Sequence, residues 1–243
     1  MTFISTKTGQ FRYFALQLDD FDWQGKDVLD FGGNIGNLLR DPECTAEVAR
    51  YTCIDVDREA IDRGRESFPE ATWLHYDRYC FYFNPGGMPG LAVPDPGRTF
   101  DYIVCYSVFT NTLRRDMFDL VEQLKAMLKP SGKLAFTFID QHFHAWPGNY
   151  AGDNLMWRLE RDNKERPEID NVRLHAQAAN SSWCTLVNAS EIFIETEELP
   201  RVDGDQQQSC HTYYTAEYMQ SLFPGAIIRP PANQEMQHCC ILA

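Results

Sequence analysis

The residues best placed to do chemistry stand in the run Asp30-Phe31-Gly32-Gly33-Asn34-Ile35-Gly36. An acid ends an apolar pair, Val28-Leu29. Small residues follow, and they let backbone N–H groups approach a ligand closely. A second acid, Asp55, closes Thr52-Cys53-Ile54, and a third, Asp77, follows Trp73-Leu74-His75-Tyr76. An acid at the end of a second strand can accept both hydroxyls of a ribose. Asp57 is instead placed to cap a helix over Arg58 to Ser67. Each acid alone reads as an ordinary turn carboxylate, but acids at three successive strand ends describe the edge of a nucleotide-type pocket. The other reactive group is Gln141-His142-Phe143-His144-Ala145-Trp146. His142 and His144 are candidate general bases, the alternative being simple hydrogen bonds to loop carbonyls. His211 is a further candidate. His-x-His would need another ligand to hold a metal, and none is evident, so no metal is expected.

Positioning these side chains requires strands that deliver loops to one edge. Strands are predicted at Asp27 to Phe31, Tyr51 to Asp55, Thr72 to Tyr76, Tyr102 to Tyr106 and Lys133 to Ile139. Helices are predicted at Ile35 to Leu39, Arg58 to Ser67 and Arg115 to Leu128. The last has apolar residues at Met117, Leu120, Val121, Leu124 and Leu128, one buried face at helical spacing, and Lys129-Pro130-Ser131-Gly132 stops it. Such alternation predicts a parallel sheet covered on both faces.

From Gln141 to about Cys210 the alternation is lost. A helix is predicted at Asn154 to Lys164 and two strands within Trp183 to Ile194. The segment is too long for a bare loop and reads as a folded insertion. A helix at Thr215 to Phe223 and extended segments at Ala226 to Arg229 and Gln237 to Leu242 complete the pattern. The expected organisation is a core over residues 1–140, an insertion over 141–211 that serves as a substrate lid, and a return to the core over 212–243.

The chain has 243 residues, 44% of them hydrophobic, enough for a sizeable core. The formal charge of -13 argues against a nucleic-acid partner, whose phosphates need clustered Lys and Arg. No apolar run approaches the ~20 residues of a membrane span. Met1 to Gln10 shows no signal-peptide core. The 8 cysteines form neither a C-x-x-C pair nor a zinc spacing and read as reduced thiols. A cytoplasmic location is expected.

The sequence resembles the class I S-adenosylmethionine-dependent methyltransferases from Val28 to about Asp140 and, more weakly, from Tyr214 to Ile241. Asp30 to Gly36 is similar to the family's first motif, D-x-G-x-G-x-G. Asp55, with Val56 beside it, matches the ribose-binding acid, and Asp77-Arg78-Tyr79 matches the adenine-edge motif. Thr99 to Phe109 is similar to the fourth motif, in which Cys105, Tyr106 and Ser107 would line cofactor and acceptor. Leu128 to Leu134 is similar to the family's K-P-G-G segment, with Ser131 in place of the first glycine. Asn34 replaces the middle glycine of the first motif, and Asn tolerates the left-handed conformation such a turn needs. A dinucleotide fold fits less well, because glycines at 32, 33 and 36 do not make G-x-G-x-x-G.

The resemblance implies a doubly wound, mostly parallel, seven-stranded Rossmann-like α/β sheet with an insertion after the fifth strand. It implies S-adenosylmethionine as cofactor and S-adenosylhomocysteine as product. The expected reaction is methyl transfer to an O or N atom of a small or medium organic molecule. A protein or peptide methyltransferase and a non-catalytic cofactor-binding relative are the alternatives. Specificity is expected in the insertion, where Phe143, Trp146, Tyr150, Trp157, Trp183 and Phe193 would build either an apolar lid or the insertion's own core. Glu195, Glu197 and Glu198 read as a solvated face, or as a site for a cationic acceptor if turned inward. Near the start, Phe11-Arg12-Tyr13-Phe14 is expected either to pack or to fold over the pocket, with Arg12 or Tyr13 on the cofactor's carboxylate.

Overall fold

A computed structural model describes residues 9–80, 82–142, 177, 180–187, 191–196, 210–232 and 236–243. The predicted strands form: β1 at Val28–Phe31, β2 at Tyr51–Asp55, β3 at Thr72–His75, β4 at Phe100–Cys105 and β5 at Leu128–Asp140. β1 and β2 are buried at every position, as strands covered on both faces must be. All pair in parallel in the order β3-β2-β1-β4-β5. β10, His238–Leu242, then runs antiparallel to β5, and β9, Ile227–Arg229, antiparallel to β10. The order β3-β2-β1-β4-β5-β10-β9 gives the mostly parallel, Rossmann-like sheet expected, but the sheet extends beyond seven strands, to ten among the described residues.

Among the described residues, three further strands fall between β5 and the last helix. β6 at Trp183–Val187 and β7 at Glu191–Ile194 form a hairpin, and β6 also pairs with β8 at Cys210–Tyr214. β8 joins β5 in parallel at Ile139 and Asp140 only, beyond the stretch that pairs with β10. β5 thus forks at its carboxyl end. The helix predicted at Asn154 to Lys164 lies outside the described residues.

Helices cover both faces. α1 at Gln10–Leu18 and α2 at Arg58–Ser67 pack on one side, where Phe11, Tyr13, Phe14, Trp23, Ile61 and Tyr106 share a core. α3 at Arg114–Lys125 and α4 at Ala216–Leu222 pack on the other, around Met117, Leu120, Val121, Leu124, Phe136 and Met219. Asp57 caps α2 by accepting from the Ala60 N–H, and Thr215 caps α4 by accepting from the Tyr218 N–H.

Two local readings change. Residues 35–39 form successive turns rather than a helix. Asn34 and Gly36 both take positive φ (53° and 82°), and Pro42 follows closely, so no helical register is established. The Lys129-Pro130-Ser131-Gly132 segment lies inside β5, at a register shift against β4. A β-carbon on Gly132 would stand 2.6 Å from the Phe100 carbonyl oxygen, so the close approach of the two strands requires glycine there.

Candidate cofactor site

The carboxyl ends of β1, β2, β3 and β4 bring the motif residues to one edge of the sheet. Asp30 is buried on the α1 and α2 side and accepts a hydrogen bond from the Tyr51 hydroxyl at 2.7 Å. Burial pushes its pKa up to about 7, against the lowering effect of that hydrogen bond, and the nearby Asp55 charge adds to the rise. Gly33 closes over this group. Gly32, at φ 79°, donates its N–H to the Ile54 carbonyl at 2.8 Å and lies under the Val108 side chain, which a β-carbon would strike. The first and fourth motifs therefore touch.

Asp55 organises the corner. Its two oxygens accept from the Asn34 and Asp57 N–H groups, each at 2.8 Å. Burial pushes its pKa up to about 6, and the two amide hydrogen bonds oppose the rise. Each carboxylate oxygen retains a further acceptor site for a ligand hydroxyl. Asn34 takes the left-handed conformation that its replacement of glycine requires, at φ 53°. Val56 follows Asp55, and its carbonyl lies 3.1 Å from His75 Nε2.

Asp77 is exposed and accepts from Asn84 Nδ2 at 3.0 Å. The Arg78 side chain turns away from this corner: Nη2 donates to Asp116 Oδ1 at 2.9 Å, and Nη1 donates to Asp119 Oδ2 at 3.1 Å and to the Leu91 carbonyl at 3.0 Å. It ties the end of β3 to α3, so only the Arg78 backbone stays at the edge. The Tyr79 N–H donates to the Met88 carbonyl. Cys105 is fully buried, and Tyr106 meets Tyr13 edge to face with ring centroids 5.6 Å apart. Tyr13 itself is buried in α1 and donates its hydroxyl to the Gln237 carbonyl at 2.8 Å. Its ring is held in the core, while Arg12, exposed, pairs with Glu43. The alternative of packing describes this segment.

Of the base candidates, His142 stands just beyond β5, exposed, with its N–H on Asp140 Oδ1 at 2.8 Å. His144 lies outside the described residues, as do Phe143, Trp146, Tyr150, Trp157, Glu197 and Glu198. Trp183 is buried in the core, and exposed Glu195 accepts from the Ser182 N–H at 2.6 Å. His211, on β8, meets the ring of Tyr82 at 6.1 Å. Among the described residues no group of three or more His, Cys, Asp or Glu is arranged to hold a metal, and no helix is long and apolar enough to cross a membrane.

Sequence reading did not single out Thr137 or Gln237. Thr137 Oγ1 accepts from the Ser107 N–H at 2.7 Å and donates to Gln237 Oε1 at 2.5 Å. No local signal joins residues so far apart in the chain.

The site fits an adenosine-bearing cation. Asn34 Oδ1, Asn37 Oδ1 and Asp57 Oδ2 are buried acceptors without a hydrogen-bond partner in the structure, and such atoms call for donors such as an ammonium group or ribose hydroxyls.

Comparison with known proteins agrees. Residues 29–134 match the methyltransferase domain family. The ribosomal protein L11 methyltransferase of Shewanella amazonensis is 28% identical over 120 residues, 49% of this chain and 36% of that protein, so the match spans well under half of the curated relative. The structure of the glycopeptide N-methyltransferase MtfA with S-adenosylhomocysteine superposes with a TM-score of 0.51 at 12% identity, covering 99% of this chain and 91% of that one. The same enzyme with S-adenosylmethionine gives 0.51 and 12%, covering 99% and 95%. At this identity the structures speak for the fold alone. Residues 29–134 thus match a methyltransferase domain, and the chain as a whole superposes on the fold of a methyltransferase.

Proposed function

We propose that the chain transfers a methyl group from S-adenosylmethionine to an O or N atom of a small or medium organic molecule. The observation that carries this reading is the fork of β5. β5, which pairs with the fourth-motif strand β4, also carries β8, β6 and β7, so these described strands of the insertion continue the sheet beside that motif. In this reading residues 141–211 are a substrate lid, with 1–140 and 212–243 as the core.

When bound, the cofactor supplies a methyl group on a sulfonium, ready for in-line displacement. Gly32, Gly33, Asn34 and Gly36 would hold its methionine part, Asp55 and Val56 its ribose, and Asp77 with the Arg78 and Tyr79 backbone its adenine edge. Cys105, Tyr106 and Ser107 would line the boundary with the acceptor. The chain's remaining work is to align the acceptor and exclude water. A hydroxyl acceptor gives its proton to His142 or to His144, and an uncharged amine needs no base. The seven free thiols among the described residues and the net charge of -13 support a cytoplasmic enzyme without a nucleic-acid partner.

A protein acceptor is the second reading. It is favoured by the name of the curated relative and by the exposed Tyr82 and Met88 near the rim. The test is incubation with isotopically labelled S-adenosylmethionine and a cell extract separated into small-molecule and protein fractions. Label entering the small-molecule fraction supports the proposal. Label only in protein supports the second reading, and label in neither overturns both.

A further inference from the structure

Gln237 lies just before β10 and is buried. Its side chain bridges two strands: Oε1 accepts from Thr137 Oγ1 on β5 at 2.5 Å, and Nε2 donates to Ser107 Oγ beyond β4 at 3.1 Å. Its carbonyl accepts from the Tyr13 hydroxyl of α1. Thr137 completes the ring by accepting from the Ser107 N–H.

Ser107 is the residue this ring encloses, and its backbone is strained. At φ 58° it occupies the left-handed region, which a non-glycine residue holds only where its surroundings over-determine it. Thr110 Oγ1 and Asn111 Nδ2 also donate to its carbonyl, at 3.0 and 3.2 Å. The next residue, Val108, covers Gly32. A hydrogen-bonded path therefore runs from Gln237 through Ser107 to the residue that seats the fourth-motif loop on the glycine loop.

We infer that Gln237 is a positioning residue for the methyl-transfer pocket: it clamps Ser107 in the left-handed conformation and so fixes the loop between cofactor and acceptor. It acts through Ser107, and the inference rests on the reading of residues 32–36 and 105–107 as the cofactor pocket. The amino-terminal helix belongs to the same device through Tyr13.

The test is calorimetric affinity for S-adenosylhomocysteine, with thermal unfolding alongside, in wild type, Gln237→Met, Ser107→Gly and the double variant. Methionine keeps the volume but removes both side-chain hydrogen bonds. Glycine takes positive φ without help, so it needs no clamp. Gln237→Met should bind about tenfold more weakly than wild type, the scale of one or two lost hydrogen bonds. In the Ser107→Gly background the same change should cost less than about threefold. A purely structural role for Gln237 would lower the unfolding midpoint and leave the affinity of the folded protein unchanged in both backgrounds. That result, or an equal loss of affinity in both backgrounds, would overturn the inference. If Gln237→Met does not fold, Thr137→Val breaks the same ring and carries the same expectations. Absence of binding by wild type would instead remove the pocket reading, and this inference with it.

Discussion

A β-carbon on Gly33 would stand 2.6 Å from Asp30 Oδ2 and 2.9 Å from Cys53 Sγ. The glycine is therefore demanded by the buried acid beneath it. Gly33→Ala should cost about 1–3 kcal/mol through overpacking, and so lower the unfolding midpoint by several degrees. It should also weaken binding of S-adenosylhomocysteine. Differential scanning calorimetry and a binding titration check both, and an unchanged midpoint would show that the corner yields freely.

Asp55→Ala removes the acceptor of the Asn34 and Asp57 N–H groups as well as the proposed ribose contact. Binding of S-adenosylhomocysteine should weaken by roughly 1 to 3 kcal/mol, the range for charge-assisted hydrogen bonds. Retained affinity would sink the assignment of that corner.

Asp30 gives the folded protein a defined pH response. Its pKa rises from 3.8 to about 7 on folding, so between those values the folded state holds a proton that the unfolded state has lost. The favourable contribution is present at the acid end and disappears as pH rises through this window. Asp55, raised to about 6, acts with the same sign. Urea unfolding across the window should therefore show a steeper loss of stability in wild type than in Asp30→Asn. Equal slopes would contradict a protonated Asp30 in the fold.

Arg78→Met separates structure from binding. The guanidinium is engaged by Asp116, Asp119 and the Leu91 carbonyl, although both carboxylates are substantially exposed and so screened. A stability loss of about 1–2 kcal/mol is expected, with affinity for S-adenosylhomocysteine near that of wild type. A selective loss of affinity would place the side chain on the ligand.

His142→Ala and His144→Ala test the base. With a hydroxyl acceptor, turnover should fall by about a hundredfold or more in one of the two variants, while S-adenosylhomocysteine affinity stays unchanged. Unchanged turnover at every pH in both would leave the two histidines positioning or packing roles.

The core strands were legible because short runs such as Val28 to Phe31 and Tyr51 to Asp55 are apolar and bounded by turn residues, and parallel strands buried on both faces need little else. α1 was not. Its aromatics form helices poorly in isolation, and burial of Phe11, Tyr13, Phe14, Ala15, Gln17 and Leu18 leaves no clean polar face to mark the period. Residues 35–39 misled in the opposite direction: Ile35, Leu38 and Leu39 suggest a helix, but positive φ at Asn34 and Gly36 and the following proline hold them in turns. The acid and glycine corner was readable because it is nearly contiguous. The Arg78 strut and the Gln237 clamp were not, since both depend on residues that only the folded sheet brings together.

The proposed function requires that the corner formed by Asp30, the glycine loop and Asp55 bind S-adenosylmethionine. The decisive measurement is isothermal titration of the wild-type chain with S-adenosylhomocysteine, with NAD as control. Micromolar binding of S-adenosylhomocysteine alone is the expected result; binding of NAD, or of neither compound, would contradict it.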